Sequence, residues 1–380
     1  MDHSARTLIV LAMLTGTLVS FAAFDVAYDL QAQDLRQVLG APLVPYSLER
    51  DRRLPEPTST AGVWVANPSP FTVDTPDGPV VAACQVKVFS IGSVSLTIRV
   101  PFTVKDLQDL VPWHGITVNN RPLHEHLHTL AEAARRDIAQ ALIRPVATLI
   151  PDEPYTLFFI DNLVGSDVES WFVQNRGAIA GVLTEENDWH QLAPGEIEES
   201  TSLRLSYYRD DLIVVDWDAA LAVAAKSRLE ENVYPMELAN VQLRELEAYD
   251  SELDKLIERS YADIRNRKSR LSQEMEIARI DLARLGEMLE NTGKLFGDWH
   301  LARIHRLIAE RFHISDWQRS VEAKRETLDG IHVTLRHEKF NSIMLWLEVA
   351  IVVLFIIDII PLMKNDFWPW FLNAWRQVFG

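Results

Sequence analysis

A single cysteine, Cys84, stands among 380 residues, which excludes an intrachain disulfide and any cysteine-rich metal site. It lies in a strand-like run, where a lone thiol reads as a small buried apolar residue rather than a nucleophile. Basic residues are also in deficit, with 37 Lys+Arg against 54 Asp+Glu and a net charge of −17. The deficit is uneven. Residues 1–235 carry 17 basic against 31 acidic side chains, residues 236–341 carry 18 against 20, and residues 342–380 carry 2 against 3. An acidic N-terminal part repels phosphate, so no nucleic-acid partner is expected. Uninterrupted apolar runs are scarce as well, and the two that occur lie near the two ends.

The C-terminal run, Ile343 to Met363, is apolar except for Glu348, Asp358 and Pro361. At about 1.5 Å per residue it has the length of a bilayer's hydrocarbon core, so a transmembrane helix is expected over 342–363. Behind it, residues 364–380 read as an aromatic interfacial tail anchored by Trp368, Trp370 and Trp375. The N-terminal run, Leu8 to Phe24, fits a membrane anchor or signal peptide over 1–25. Lys324, Arg325, Arg336 and Lys339 precede the C-terminal run, and the positive-inside tendency then places the soluble body on the cytoplasmic side of the membrane.

Between the runs, four prolines from Pro42 to Pro57 mark 26–60 as a linker. Structure is expected from Gly62. Val80–Ile91 and Val94–Val100 read as a β-hairpin turning at Gly92-Ser93. A helix follows over Leu123–Ile143, stopped by Pro145. Tyr155–Ile160 and Leu212–Val215 are further strands, the second flanked by Asp210-Asp211 and Asp216 as a buried central strand would be. These elements give an α+β domain over 61–235. From Pro235 the spacing of Leu238, Val241, Leu246, Leu253 and Leu256 is helical, and a second segment runs through Leu271, Met275, Ile280, Leu285 and Leu289. The Arg265-Asn266-Arg267-Lys268 cluster between them is read as a solvated helix junction. Ser315-Asp316-Trp317-Gln318 is a capping-box pattern that starts a third helix near Asp316. Residues 236–341 are therefore expected to form a long antiparallel helical bundle or coiled-coil stalk.

Two groups of residues point to chemistry. His124-Glu125-His126-Leu127-His128 matches H-E-x-x-H, where two histidines one turn apart hold zinc and the glutamate serves as general base. A third ligand is not marked: the metzincin position holds Ala134. A polar helix start is therefore preferred, and zinc belongs only to the peptidase alternative. Glu348 and Asp358 are the second group, because ionisable residues inside an apolar span are costly and face protein or water.

Three stretches carry a resemblance. They are Asp210 to Ala220, Lys294 to Arg303 and Arg311 to Trp317, and together with the hairpin Val88 to Ser95 they resemble an uncharacterised family of bacterial membrane-anchored proteins. The layout is also similar to the domain of unknown function in the required-for-meiotic-nuclear-division proteins, whose mitochondrial member is an inner-membrane oligomer supporting organellar translation. That resemblance implies acids ten residues apart in a terminal span, as Glu348 and Asp358 are, although Val349 replaces the usual aromatic. It carries over no catalytic residues and implies a tether or scaffold. The CorA-type magnesium channels share the layout, but their Gly-Met-Asn signature is absent. The expected function is thus a membrane-tethered, non-enzymatic scaffold that contacts lipid, itself and an unknown protein partner. A membrane-bound zinc metallopeptidase and an oligomeric ion-transport protein are the alternatives.

Overall fold

Residues Leu14–Asp25 form a strand, β1, in the interior of a twelve-stranded sheet. In this computed structural model, residues 13–48, 59–150, 153–163, 167–266, 299–362 and 368–379 are described. The chain divides into two units, Met1–Ser251 with Asp281–Val321, and Glu252–Ile280 with Glu322–Gly380. The first unit holds the sheet.

The strands that carry the main path of the sheet with β1 are β2 Phe71–Thr75, β3 Gly78–Phe89, β4 Ser93–Val104, β5 Tyr155–Ile160, β6 Leu212–Val215 and β7 Ala219–Val223. They lie in the order β2-β3-β4-β1-β5-β7-β6, and short strands extend both edges. β1 is antiparallel to β4 from Leu14↔Val104 to Asp25↔Ser93, and to β5 from Gly16↔Ile160 to Phe21↔Tyr155. The β5–β7 pair alone among these is parallel, with Phe158 beside Leu221. A parallel pair needs a crossover. Helices α2, Val168–Leu183, and α3, Pro194–Ser200, supply part of it, and α1, Leu123–Asp137, precedes β5.

Both faces of the sheet are covered, and alternation along β4 shows how differently. Val94, Leu96, Ile98 and Val100 point to one side, where Leu18, Phe24, Phe102, Trp113, Leu127 and Phe172 complete a large apolar core. Ser93, Ser95 and Thr97 point to the other and are equally buried. That second face lies under the first part of α4, Leu229–Asn266, through Tyr234, Leu238 and Val241. The remaining helices are α5 Trp299–Arg311, α6 Ile314–Leu362 and α7 Trp368–Phe379.

Several expectations need correction. Residues 14–25, assigned to an anchor or signal peptide, are a central strand. A strand buried on both faces is continuously apolar, and periodicity alone does not separate it from an apolar helix. The expected linker is structured where it is described: Ala27–Leu30 pairs with Leu142–Pro145, Gln37–Val38 with Ala41–Pro42, and Val44–Ser47 with Ser59–Ala66. The hairpin turns through Ser90-Ile91-Gly92, because Phe89 pairs with Ser93. Gly92 has φ +96, and a Cβ there would meet the Ala27 carbonyl oxygen at 1.6 Å. Only glycine fits that approach.

The C-terminal expectation is overturned too. Among the described residues, no helix is long and apolar enough to cross a membrane. A span needs about 20 consecutive predominantly apolar residues. Here Glu348 and Asp358 interrupt the end of α6, and Met363, with which the run was expected to close, lies outside the described residues. The expected topology loses its basis with it. Leu271, Met275, Ile280, Leu285 and Leu289, and Arg267 and Lys268 of the basic cluster, also lie outside the described residues. The start of the third helix, Ile314, falls two residues before the expected Asp316.

Candidate functional site

The H-E-x-x-H residues occupy the first turns of α1. Leu123, Leu127, Ala131 and Ala134 form its buried stripe, and this spacing leaves the three histidines half-exposed and Glu125 exposed. His128 is already engaged: its Nε2 lies 3.4 Å from the Leu149 carbonyl oxygen, and its ring meets Phe24 edge-on at 6.2 Å. His126 packs on Phe71 at 4.8 Å, and burial lowers its pKa. Zinc requires at least three protein ligands. Among the described residues, no group of three or more His, Cys, Asp or Glu side chains is placed to hold a metal ion. His124, Glu125 and His128 therefore do not fit zinc.

Glu348 and Asp358 are both exposed on α6. Ten residues at 100° each set them about 80° apart around the axis. Trp368 opens α7, and Trp370 and Trp375 are 65% and 56% exposed along it. Cys84 is buried, and burial pushes its thiol up to about 11, which removes it as a nucleophile at neutral pH.

The structure instead concentrates buried polar groups between β1, β3, β4 and α4. Lys87 of β3 and Glu237 of α4 form an ion pair with no exposed side-chain surface on either partner. The Oε1 of Glu237 also accepts from Ser95 at 2.6 Å and Thr97 at 3.0 Å. Lys87 Nζ sits 5.0 Å from the Tyr46 ring centroid and 5.9 Å from that of Tyr234. Such surroundings offset the large cost of burying two ions. Two turns further along α4, Glu245 accepts from Ser93. Burial raises the Glu245 pKa well above its ordinary value and nearby Asp25 raises it further, while burial pushes Asp25 up to about 7. Two carboxyls close together in a dry site favour one shared proton.

Next to this face lies a cavity of about 260 Å³. Four aromatic side chains line it: Tyr155 of β5, Trp217 of the β6–β7 turn, and Phe312 and Trp317 at the α5–α6 junction. Its charged lining is Glu153, Asp218, Arg244 and Glu247, with Arg244 Nη1 2.5 Å from Glu247 Oε2. Asn240 completes it from α4. The wall is held by Arg311, which is 5% exposed and contacts Asp216 Oδ1 at 3.0 Å, Glu199 Oε1 at 3.2 Å and the Glu199 carbonyl oxygen at 3.0 Å. Tyr155 donates to the backbone oxygens of Asp216 and Ala219, which pins the turn to β5.

None of these positions was singled out in the sequence as a site. One signal was present: Ser93, Ser95 and Thr97 alternate with Val94, Leu96 and Ile98, and Glu237 and Glu245 flank Leu238 and Val241 on one helix face. Alternation of this kind normally marks a solvated face. Which acids cover it depends on contacts more than a hundred residues apart in the chain.

The part of the chain that builds the sheet can be compared with known proteins. The model of the family described as "Uncharacterized protein MJ0711, N-terminal domain" matches residues 15–228. The chain belongs to this family. The match begins inside β1 and ends at Arg228, immediately before α4, so Asp25, Lys87 and Ser93 lie within the family domain and Glu237, Asn240 and Glu245 beyond it. The Uncharacterized protein MJ0711 of Methanocaldococcus jannaschii is 27% identical over 214 residues, 55% of this chain. The matched segment spans 65% of that relative's length. No solved structure matches the chain.

Proposed function

We propose that this member of the MJ0711 N-terminal-domain family is a non-enzymatic interaction protein that associates with a second copy of itself through its C-terminal helices. One observation carries the reading. Ile343, Met344, Leu345, Trp346 and Leu347 are five consecutive large apolar residues of α6, exposed by 50–73%, and Ile351 to Ile357 are seven more beyond Glu348. Consecutive residues are 100° apart, so these side chains cover every direction around the helix. A helix apolar all round is a buried helix in its working state. Contiguous exposed apolar surface of this extent marks an interaction site. A second copy presents the same apolar surface, and symmetric self-association is the commonest assembly of soluble chains.

The alternatives have less support. A zinc peptidase lacks a third ligand among the described residues, and an ion-transport protein needs a membrane span that these residues do not supply. Sedimentation velocity on the full chain in detergent-free buffer is expected to give a discrete oligomer. The double substitution Leu345→Glu with Leu354→Glu is expected to shift it to monomer. A monomeric wild-type chain, or one that sediments only with added phospholipid vesicles, would overturn self-association.

A further inference from the structure

The cavity on the first unit differs from the buried face beside it, because its polar groups are not used up by one another. Asn240 is 3% exposed, and its Oδ1 accepts from the Ala23 backbone N–H at 3.0 Å. That bond fixes which end of the amide is the donor. Its Nδ2 then makes no hydrogen bond among the described residues, although the side chain lines the cavity. That donor still reaches the open space of the cavity, so it can donate to an acceptor placed there.

The charges point to a second property of such a ligand. Three carboxylates and one guanidinium line the cavity, and the guanidinium is tied to Glu247. Glu153 and Asp218 have no ion-pair partner among the described residues, which leaves two negative charges facing the space. The Trp217, Trp317, Phe312 and Tyr155 side chains wall it, and aromatic faces attract cations. A volume of about 260 Å³ is below the ~300–1,000 Å³ usual for drug-sized ligands.

We propose that this cavity binds a small organic cation, a protonated amine or guanidinium that also carries a carbonyl oxygen, with the cation held by Asp218 and Glu153 against the tryptophans and the carbonyl accepting from Asn240 Nδ2. The site is independent of self-association through α6.

Isothermal titration calorimetry of the full chain with 4-guanidinobutanamide tests it, with the uncharged isostere 4-ureidobutanamide as comparison. The guanidinium probe is expected to bind one per chain, and the urea probe at least about tenfold more weakly. Glu153 and Asp218 are exposed, so the double substitution Glu153→Gln with Asp218→Asn is expected to leave the fold intact and weaken the guanidinium probe by about tenfold or more. Removing two exposed acids outside the cavity, Asp34→Asn with Asp77→Asn, is expected to leave affinity unchanged. Equal binding of the two probes, equal losses in the two double variants, or no heat up to about 10 mM probe would each overturn the proposal.

Discussion

Lys87 Nζ and the carboxylate of Glu237 meet between β3 and α4 with neither side chain reaching solvent. Four further groups complete the site: the Ser95 and Thr97 hydroxyls on the carboxylate and the Tyr46 and Tyr234 rings beside the ammonium. The pair joins the family domain to the helix that follows it.

Breaking this pair from one side leaves a buried, uncompensated charge, and Lys87→Met is expected to cost about 3–5 kcal/mol. Replacing both partners removes the stranded ion, so Lys87→Met with Glu237→Leu should be more stable than the sum of the single losses implies. Urea denaturation of the three variants measures both quantities.

The Asp25 carboxyl, held up to about 7 by burial, makes stability depend on pH. Its native pKa lies above the ordinary 3.8, so between these values the native state binds more protons than the unfolded chain. Its contribution is fully present below about pH 4 and is lost as pH rises towards 7, with a slope of at most about 1.4 kcal/mol per pH unit. Glu245, also raised, acts in the same sense. Asp25→Asn is expected to flatten this part of the stability curve and to stabilise the protein at pH 8, as read by denaturation midpoints across pH 4–8. An unchanged slope would show that Asp25 is not the titrating group.

Arg311 ties the end of α5 to the β6–β7 turn through Asp216, and to Glu199 of α3. Asp216 is 6% exposed, and burial raises its pKa despite the guanidinium. Arg311→Met strands that carboxyl and is expected to cost about 3–5 kcal/mol. Arg311→Lys should cost less, since it keeps the charge while losing the forked geometry. Thermal melts of both variants distinguish the two effects.

At Gly92 the constraint is steric. Positive φ and the close Ala27 carbonyl together oppose any side chain, so Gly92→Ala is expected to lose at least about 1–3 kcal/mol. Val26 and Ala27 donate to the Gly92 carbonyl, so the loss should appear locally as faster amide exchange at these two residues. Unchanged exchange there would show that the turn does not fasten the strand Ala27–Leu30.

Much of the local structure was legible in the sequence. Tyr155–Ile160 and Leu212–Val215 are strands at the expected residues, and Leu123 begins a helix that ends at Asp137. Leu238, Val241, Leu246, Leu253 and Leu256 form a buried stripe at helical spacing. In each case the signal is local: β-branched and aromatic runs, helical periodicity, and turn residues that act within a few positions.

The sequence by itself determined these elements and the acidic balance, because both are properties of neighbouring residues or of simple counts. Only the tertiary structure decided what the apolar and polar runs are for. Leu14–Asp25 is apolar because sheet neighbours and helices enclose it, and the same composition would suit an anchor. Ser93, Ser95 and Thr97 look like a solvated edge until α4 brings Glu237 and Glu245 over them. The cavity likewise draws on β5, the β6–β7 turn, α4 and the α5–α6 junction, four segments that only the fold brings together.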